Sequence, residues 1–252
     1  MVKLKHLWIM AGVTAILGGA SCAQTPEYGF EVDKMQAADG KNLEIFCIKH
    51  GSVGFNYDGY QIYVDPVGEY ADYAKLPKAD VILITHSHGD HFDAAAVEMA
   101  SKPGTVIITN PEVGAQLPGA QIMGNGDELK PTPYLDVKAV PAYNTTEGHL
   151  QFHPQGRDNG YVLTLGGTKI YVAGDTENIP EMAELEGIEI AFLPVNQPYT
   201  MTPEQAADAA RMVQPKIFYP YHYGMTETET NLELLNELLV GSGIEIRIRQ
   251  LQ

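Results

Sequence analysis

Three histidines and an aspartate fall within six residues, directly after a short apolar run. The apolar run is Val81-Ile82-Leu83-Ile84, and the cluster reads His86-Ser87-His88-Gly89-Asp90-His91. Packed imidazoles repel one another when protonated and need hydrogen-bond partners when buried, and a divalent cation removes both problems. Imidazole nitrogen and carboxylate oxygen suit zinc, and related sites take iron or manganese. The sequence therefore predicts a metal site at the end of a strand.

The spacing within the cluster predicts two metal positions. In an extended chain alternate side chains point the same way, so His86 and His88 share one direction. Gly89 is expected to let the backbone turn, which brings Asp90 and His91 to a second position. One short loop is therefore expected to serve two cations.

The amino terminus has the pattern of an exported protein. Two lysines precede an apolar run over residues 7–17, and Ser21 and Ala23 are the small residues that favour cleavage after position 23. The run is shorter than the about 20 residues that a membrane span needs. No linker rich in Pro, Ser or Gly divides the remainder. We therefore predict a signal peptide over residues 1–23 and one domain over residues 24–252.

Cys22 offers an alternative processing route. Lipidation of this cysteine, after removal of residues 1–21, would tether the domain to a membrane, although the leucine usually found three positions upstream is absent. Both routes predict a periplasmic or secreted protein. Apart from Cys22 the chain contains only Cys47, so no intramolecular disulfide is expected in the mature domain.

The charge of the chain disfavours one class of partner. The formal charge is −16, and without Lys3 and Lys5 it is −18, since 14 basic residues then stand against 32 acidic ones. Such a surface repels the phosphates of nucleic acids. We expect a small-molecule substrate, no nucleic acid, and membrane contact only through lipidation at Cys22. The sequence makes no prediction of the oligomeric state.

Short β-branched and aromatic runs predict nine strands. They cover residues 43–48, 60–64, 81–84, 105–109, 161–165, 169–172, 188–193, 216–219 and 244–248. Helices are predicted over residues 94–100, 202–213 and 231–240, the first with Asp93 as its N-cap and the second opened by the Thr202-Pro203-Glu204-Gln205 capping pattern. Strands with helices between them predict an α/β protein with packed sheets and helices outside.

Three further candidate ligands lie next to predicted strands. Asp175 follows an apolar strand that ends in Gly174, His222 follows the strand near residue 219, and His153 precedes the strand that starts at residue 161. His149 competes with His153 for the same role. Each residue also has a purely structural interpretation, as a turn aspartate, a core histidine or a loop histidine.

Together these motifs resemble the metallo-beta-lactamase superfamily, whose His-x-His-x-Asp-His signature is matched by residues 86–91. The later motifs follow in the order which that superfamily uses: Phe152-His153-Pro154, Gly174-Asp175-Thr176 and Tyr221-His222-Tyr223-Gly224. The chain is most similar to the branch that contains ascorbate-6-phosphate lactonases and many metal-dependent hydrolases. The resemblance implies a four-layer αββα sandwich with the site at one edge of the paired sheets.

The resemblance also implies seven ligands for two divalent cations, with zinc as the first choice and manganese or iron as alternatives. The first cation would be held by His86, His88 and His153. The second would be held by Asp90, His91 and His222. Asp175 would bridge the two.

Two further histidines receive other roles. His149 is the alternative third ligand of the first cation. His50 is left over and is interpreted as structural or incidental.

The implied mechanism is hydrolysis. A hydroxide held between the cations would attack a carbonyl or phosphoryl centre, and Asp90 or His222 would carry the proton to the leaving group. Tyr143, Asn196 and Tyr223 are expected at the oxyanion or substrate. We predict an ester, lactone or phosphoester substrate. The alternatives are a beta-lactamase and a noncatalytic metal-binding domain, lipid-anchored if Cys22 is acylated.

Overall fold

Two sheets of seven strands each form the centre of the molecule. The computed structural model describes residues 28–224 and 229–251. The first sheet contains β1 (Glu31–Gln36), β2 (Asn42–Lys49), β3 (Ser52–Tyr57), β4 (Tyr60–Val64), β5 (Val81–Ile84), β6 (Val106–Thr109) and β7 (Gln121–Ile122). The second contains β8 (Glu128–Thr132), β9 (Leu135–Ala142), β10 (Asp158–Leu165), β11 (Thr168–Val172), β12 (Ile188–Pro194), β13 (Ile217–Tyr221) and β14 (Glu245–Ile246).

Both sheets repeat one topology. Strands β1 to β4 and β8 to β11 are antiparallel meanders, whereas β4 to β7 and β11 to β14 pair in parallel. The carboxyl ends of parallel strands lie at one edge of a sheet, where ligands bind in open α/β sheets. This topology places the loops after β4, β5, β11, β12 and β13 together at one edge of the two sheets.

The main core lies between the sheets. Inward positions alternate along the strands, as Leu43, Ile45 and Cys47 do on β2, and all three are buried. Across the layer, Phe55 meets Phe192 edge to face with ring centroids 5.8 Å apart. Alternation of this kind is expected where one face of a sheet packs on another sheet. The Cys47 thiol is buried and free.

Helices cover the outer faces of both sheets. On the first sheet lie α1 (Ala94–Ala100) and the single-turn α2 (Pro111–Gly114), and on the second lie α3 (Pro203–Val213) and α4 (Leu232–Leu238). A 3-10 helix at Pro180–Glu184 packs beside α3. The predicted four-layer αββα sandwich is therefore confirmed. No helix within the described ranges is long and apolar enough to cross a bilayer.

The helix ends follow the local sequence. The Asp93 carboxylate accepts hydrogen bonds from the backbone N–H groups of Ala95 and Ala96 and so caps α1. Thr202 and Gln205 form the reciprocal capping box of α3, as predicted. The helix predicted over residues 231–240 is shorter at its carboxyl end, and the predicted strand over residues 244–248 contains only two residues in β14.

The predicted signal peptide, residues 1–23, lies outside the described residues, and so does Cys22. Cleavage and lipidation therefore stay predictions, as does the single-domain boundary at residue 24.

Candidate metal centre

Two groups of side chains capable of holding a cation lie at the shared edge of the sheets. In each group the potential ligand atoms lie within 4.8 Å of one another. The first group contains His86, His88, His153 and Asp175. The second group contains His50, Asp90, His91 and His222. All seven ligands predicted from the sequence are therefore brought together, with His50 in addition.

The elements that carry these residues explain their convergence. Thr85 and His86 directly follow β5, the segment ending in Asp175 follows β11, and His222 follows β13. The loop between β9 and β10 supplies His153. After His88 the chain turns back, since the N–H of His91 donates to the carbonyl of His88 at 3.0 Å.

Asp175 lies between the two groups. Its Oδ2 is 3.3 Å from His153 Nε2 and 3.2 Å from His222 Nε2, and its Oδ1 is 3.3 Å from His91 Nε2. His153 belongs to the first group, whereas His222 and His91 belong to the second. Asp175 therefore occupies the position of a bridging ligand.

Neighbouring side chains contact the Nδ1 atoms of His86 and His222, on the ring edge that faces away from Asp175. His86 Nδ1 contacts Thr85 Oγ1 at 2.9 Å, and His222 Nδ1 contacts the Asn196 side-chain amide at 3.2 Å. Each ring is thus oriented with Nε2 towards Asp175. Such partners set the tautomer and the direction of metal-binding imidazoles.

Two buried carboxylates orient the rings of His91 and His153 in the same way. Asp65 accepts from His91 Nδ1 at 2.8 Å and also from the backbone N–H and hydroxyl of Thr85. Asp158 accepts from His153 Nδ1 at 3.1 Å. Neither Asp65 nor Asp158 is among the site residues predicted from the sequence. Asp65 follows an apolar strand, in the same way as Asp175, and this sequence pattern could have identified it.

His50 was interpreted as structural or incidental, whereas the structure places it in the second group. Its Nε2 lies 3.2 Å from Asp90 Oδ2, and its ring centroid is 3.7 Å from that of His222. Its φ of 51° is left-handed, as are those of Asp65 and His222, at 49° and 54°. Such backbone conformations cost on the order of 1–3 kcal/mol each and concentrate at functional sites.

Burial and neighbouring charges shift the pKa values of the site residues in different directions. Burial, together with the neighbouring His91, lowers the pKa of His86 well below its usual range, so its nitrogen lone pair is free. Burial also disfavours ionised Asp175, but His222 and His91 outweigh it and hold its pKa well below the usual range. Burial opposes the cationic form of His91 as well, and the carboxylates of Asp175 and Asp65 still raise its pKa.

These residues fit a pair of cations. The buried atoms His91 Nε2, Asp175 Oδ1 and His222 Nε2 have no hydrogen-bond partner among the described residues. Buried polar atoms rarely remain unpaired, and each costs free energy. Ligand atoms about 2.1 Å from a tetrahedral cation are about 3.4 Å apart, which is close to the separations around Asp175. The donor set and its spacing thus suit divalent metal.

Of the other candidate residues, only Asn196 is among the described residues that line the cavity at the two ligand groups. Tyr143 donates its hydroxyl to Glu181, and Tyr223 donates to the carbonyl of Arg249, so neither reaches the site. Asn196 lines the cavity but contacts His222. His149 lies outside both groups, with Nδ1 3.4 Å from the Glu177 carboxylate.

The glycine that the site needs is not Gly89. A Cβ on Gly89 would meet nothing within 4 Å, and its φ is not positive. A Cβ on Gly51, in contrast, would lie 2.5 Å from the His91 ring. Gly51 therefore gives His91 the space that it occupies.

Comparisons with known proteins agree with this fold and with a metal-dependent hydrolase. Residues 44–222 match the family model described as the beta-lactamase superfamily domain. A UPF0173 metal-dependent hydrolase of Ligilactobacillus salivarius is 33% identical over 184 residues, which cover 69% of this chain and 82% of that protein. The crystal structure of a candidate metal-dependent hydrolase from Parabacteroides distasonis has 53% identity and a TM-score of 0.85, covering 88% of this chain and 100% of the other.

A more distant structure extends the agreement in fold alone. Igni18, a metallo hydrolase from Ignicoccus hospitalis, is 24% identical and has a TM-score of 0.66. The alignment covers 86% of this chain and 95% of Igni18.

Proposed function

The chain belongs to the beta-lactamase superfamily, as a metal-dependent hydrolase of the UPF0173 type, and from this premise we propose an exported enzyme that uses two cations to hydrolyse an ester, lactone or phosphoester. The observation that carries the dinuclear proposal is the position of Asp175, with Nε2 atoms of both ligand groups within 3.3 Å of its oxygens. A single cation would leave one of the two ligand groups without a metal ion.

The residues divide into holding and proton-transfer roles. His86, His88 and His153 would hold one cation, Asp90, His91 and His222 would hold the other, and Asp175 would contact both. When bound, such a pair supplies a water of lowered pKa and a Lewis acid for the developing negative charge. Zinc is the first choice for this donor set, and manganese and iron fit the same ligands.

Asp90 is the better placed of the two residues proposed for proton transfer. Its side chain is 41% exposed and faces the cavity, whereas His222 is buried. Burial opposes ionisation of Asp90, but the nearby His222 ring and the contact with His50 Nε2 hold its pKa well below the usual range. Asp90 is therefore ionised, and its place in the wall of the cavity lets it orient the attacking water and relay the proton to the leaving group.

The activity is tested with one substrate panel and several metal states. The protein is stripped with a chelator, reloaded with zinc or manganese, and assayed on lactones, carboxylic esters, β-lactams and chromogenic phosphodiesters. We expect no turnover without metal and restored turnover of an ester, lactone or phosphoester after loading. Turnover confined to β-lactams would reject the proposed substrate classes, and silence across the panel would favour the noncatalytic alternative.

The dinuclear proposal has its own measurement. Elemental analysis of the reloaded protein is expected to give two metal ions per chain. One ion per chain, together with full activity, would contradict the bridging role of Asp175.

Export is proposed from the sequence of residues 1–23. Expression of the full chain in a bacterial host, followed by fractionation and N-terminal sequencing, tests it. We expect an exported protein that begins at residue 24. An acylated residue 22 at the amino terminus would support membrane tethering, and an uncleaved cytoplasmic chain would contradict export.

A further inference from the structure

A cavity of ≈ 290 Å³ opens onto the two ligand groups. Besides site histidines and carboxylates, its walls contain Tyr70, Phe152, Asn196 and Tyr199. Small-molecule sites usually occupy about 300–1,000 Å³, so this cavity suits a small substrate. Three of its four additional side chains are aromatic.

Phe152 and Tyr199 form one wall. Their ring centroids are 4.9 Å apart in an edge-to-face arrangement. The Asn144 amide donates to the carbonyl of Tyr199 at 2.7 Å and fixes the backbone of that residue. The Tyr199 side chain remains 40% exposed, and Leu150 nearby in the sequence is 49% exposed. The wall is therefore an ordered aromatic surface, and its exposed part can pack against a ligand.

The described residues that line this cavity include no Lys or Arg that could bind an anionic substrate group. Arg157 approaches, with Nη2 3.5 Å from His88 Nε2, but its guanidinium donates to both carboxylate oxygens of Asp158 and to the Phe152 carbonyl. Arg157 is thus already neutralised. The formal charge of −16 for the whole chain adds long-range repulsion of anions.

From this lining we infer that the site selects small uncharged carboxylic esters or lactones whose apolar or aromatic group packs on Phe152 and Tyr199, ahead of substrates that carry a phosphate. The inference rests on the proposed hydrolase function and narrows its substrate class. In the reaction the acyl carbon–oxygen bond breaks, the acyl group takes the hydroxyl of water, and the leaving alkoxide takes the proton. A lactone gives one hydroxy acid, and an ester gives an acid and an alcohol.

Matched substrates test the charge selectivity. The metal-loaded protein is assayed on an alkyl-substituted five-membered lactone and on the corresponding lactone that carries a phosphomonoester. We expect kcat/KM to be at least about tenfold higher for the uncharged lactone, because only its substituent gains from packing on an aromatic surface. A preference for the phosphorylated lactone, or for a phosphodiester, would overturn the inference and leave the hydrolase function standing. No metal-dependent turnover of any substrate would instead reject the proposed function.

A variant pair tests the aromatic wall. Tyr199→Ala is expected to raise KM for the alkyl-substituted lactone about tenfold and to change KM for the unsubstituted lactone less than about twofold. Tyr60→Ala is the matched control, because Tyr60 is 41% exposed but stacks on Tyr134 at the opposite end of β4 from Asp65. Equal losses for both lactones in Tyr199→Ala, or equal effects of the two variants, would overturn the packing role.

Discussion

His153 and His149 are four residues apart in one loop, yet their environments differ completely. His153 is buried, with Nδ1 on Asp158 and Nε2 3.3 Å from Asp175. The His149 side chain is 26% exposed and contacts only the carboxylate of Glu177 on its Nδ1 side. Residue type and spacing left both histidines open as ligands, whereas the burial of His153 and the approach of its Nε2 atom to Asp175 separate them.

We therefore predict different outcomes for two alanine variants. His153→Ala is expected to lose at least one metal ion per chain and at least about 100-fold in activity, since it removes an inward-facing ligand. His149→Ala serves as the matched control and should keep both ions and most of the activity. Elemental analysis and initial rates measure the difference. Loss of metal in His149→Ala alone would reverse the assignment.

His50 illustrates a residue whose role depends on its partner. Burial and the neighbouring His222 lower the pKa of His50 to about 4, so its ring is neutral near pH 7. A neutral ring with its proton on Nε2 donates to Asp90 Oδ2, which lies 3.2 Å away. We therefore assign His50 as a positioning residue for Asp90.

This assignment predicts a partial rescue. His50→Ala should lower metal affinity or activity by about 10–100-fold, the usual cost of losing a partner of a ligand. His50→Gln retains an N–H donor and should recover part of that loss, as judged by metal titration and initial rates. If glutamine performs no better than alanine, direct ligation by the ring replaces hydrogen bonding as the role of His50.

At the scale of elements, the loop between β9 and β10 is held by one carboxylate. Glu177 Oε2 accepts from the backbone N–H and the hydroxyl of both Thr145 and Thr146, each at 2.8 or 2.9 Å. Glu177 itself is fully buried. The loop that carries His153 is thus anchored to the segment that carries Asp175.

Glu177→Gln is expected to weaken this anchor. An amide oxygen accepts less strongly than a carboxylate, and its N–H₂ group faces donors, so we expect a loss of about 1–3 kcal/mol in the free energy of unfolding. Urea unfolding followed by circular dichroism measures that loss. Glu181→Gln is a control on the adjacent 3-10 helix, where the carboxylate receives only the Tyr143 hydroxyl. Equal stability of Glu177→Gln and the parent chain would contradict the anchor.

Elements were predictable where the local pattern was strong. All nine strands expected from apolar runs are present, two with the predicted ends and seven with shifted ends, and three of the four α-helices in the described ranges were expected. The strands β1, β3, β7, β8 and β9 were missed. In β3, Gly54 weakens the pattern, yet its missing side chain is needed because a Cβ there would lie 2.9 Å from the Tyr63 ring. That need arises from the neighbouring strand, which local propensity does not include.

At the scale of the whole molecule, an ion-pair cluster joins the first sheet to the carboxyl-terminal segment. Asp33 on β1 accepts from the guanidinium of Arg249, 216 residues further along the chain, and from Arg247 and the Tyr219 hydroxyl. The Asp33 side chain is 16% exposed. This cluster therefore links β1 of the first sheet to β13 and to the segment after β14 of the second.

Asp33→Asn should therefore destabilise the molecule. Removing the shared Asp33 charge leaves Arg247 with Glu245 and Arg249 with the more distant Glu31 as carboxylate partners, and we expect a loss of about 2–4 kcal/mol. Asp136→Asn is the matched control, because its pair with Lys130 has both side chains 56% exposed and should change stability by less than about 1 kcal/mol. Thermal and urea unfolding compare the two. Similar losses in both variants would show that the cluster adds nothing beyond a surface ion pair.

The sequence alone predicted the class of fold, the seven candidate ligands and two candidate metal positions. The fold class and the first ligand cluster depend on residue types, short spacings and strand periodicity, and the full ligand set depends on motifs that resemble the superfamily; all of these are local properties of the chain. Only the tertiary structure decided which atoms converge. The role of His50, the buried partners Asp65 and Asp158, and the aromatic wall at Tyr199 all depend on contacts between distant segments. Local sequence cannot specify them, because each is created by the packing of two sheets whose edges meet only in the folded molecule.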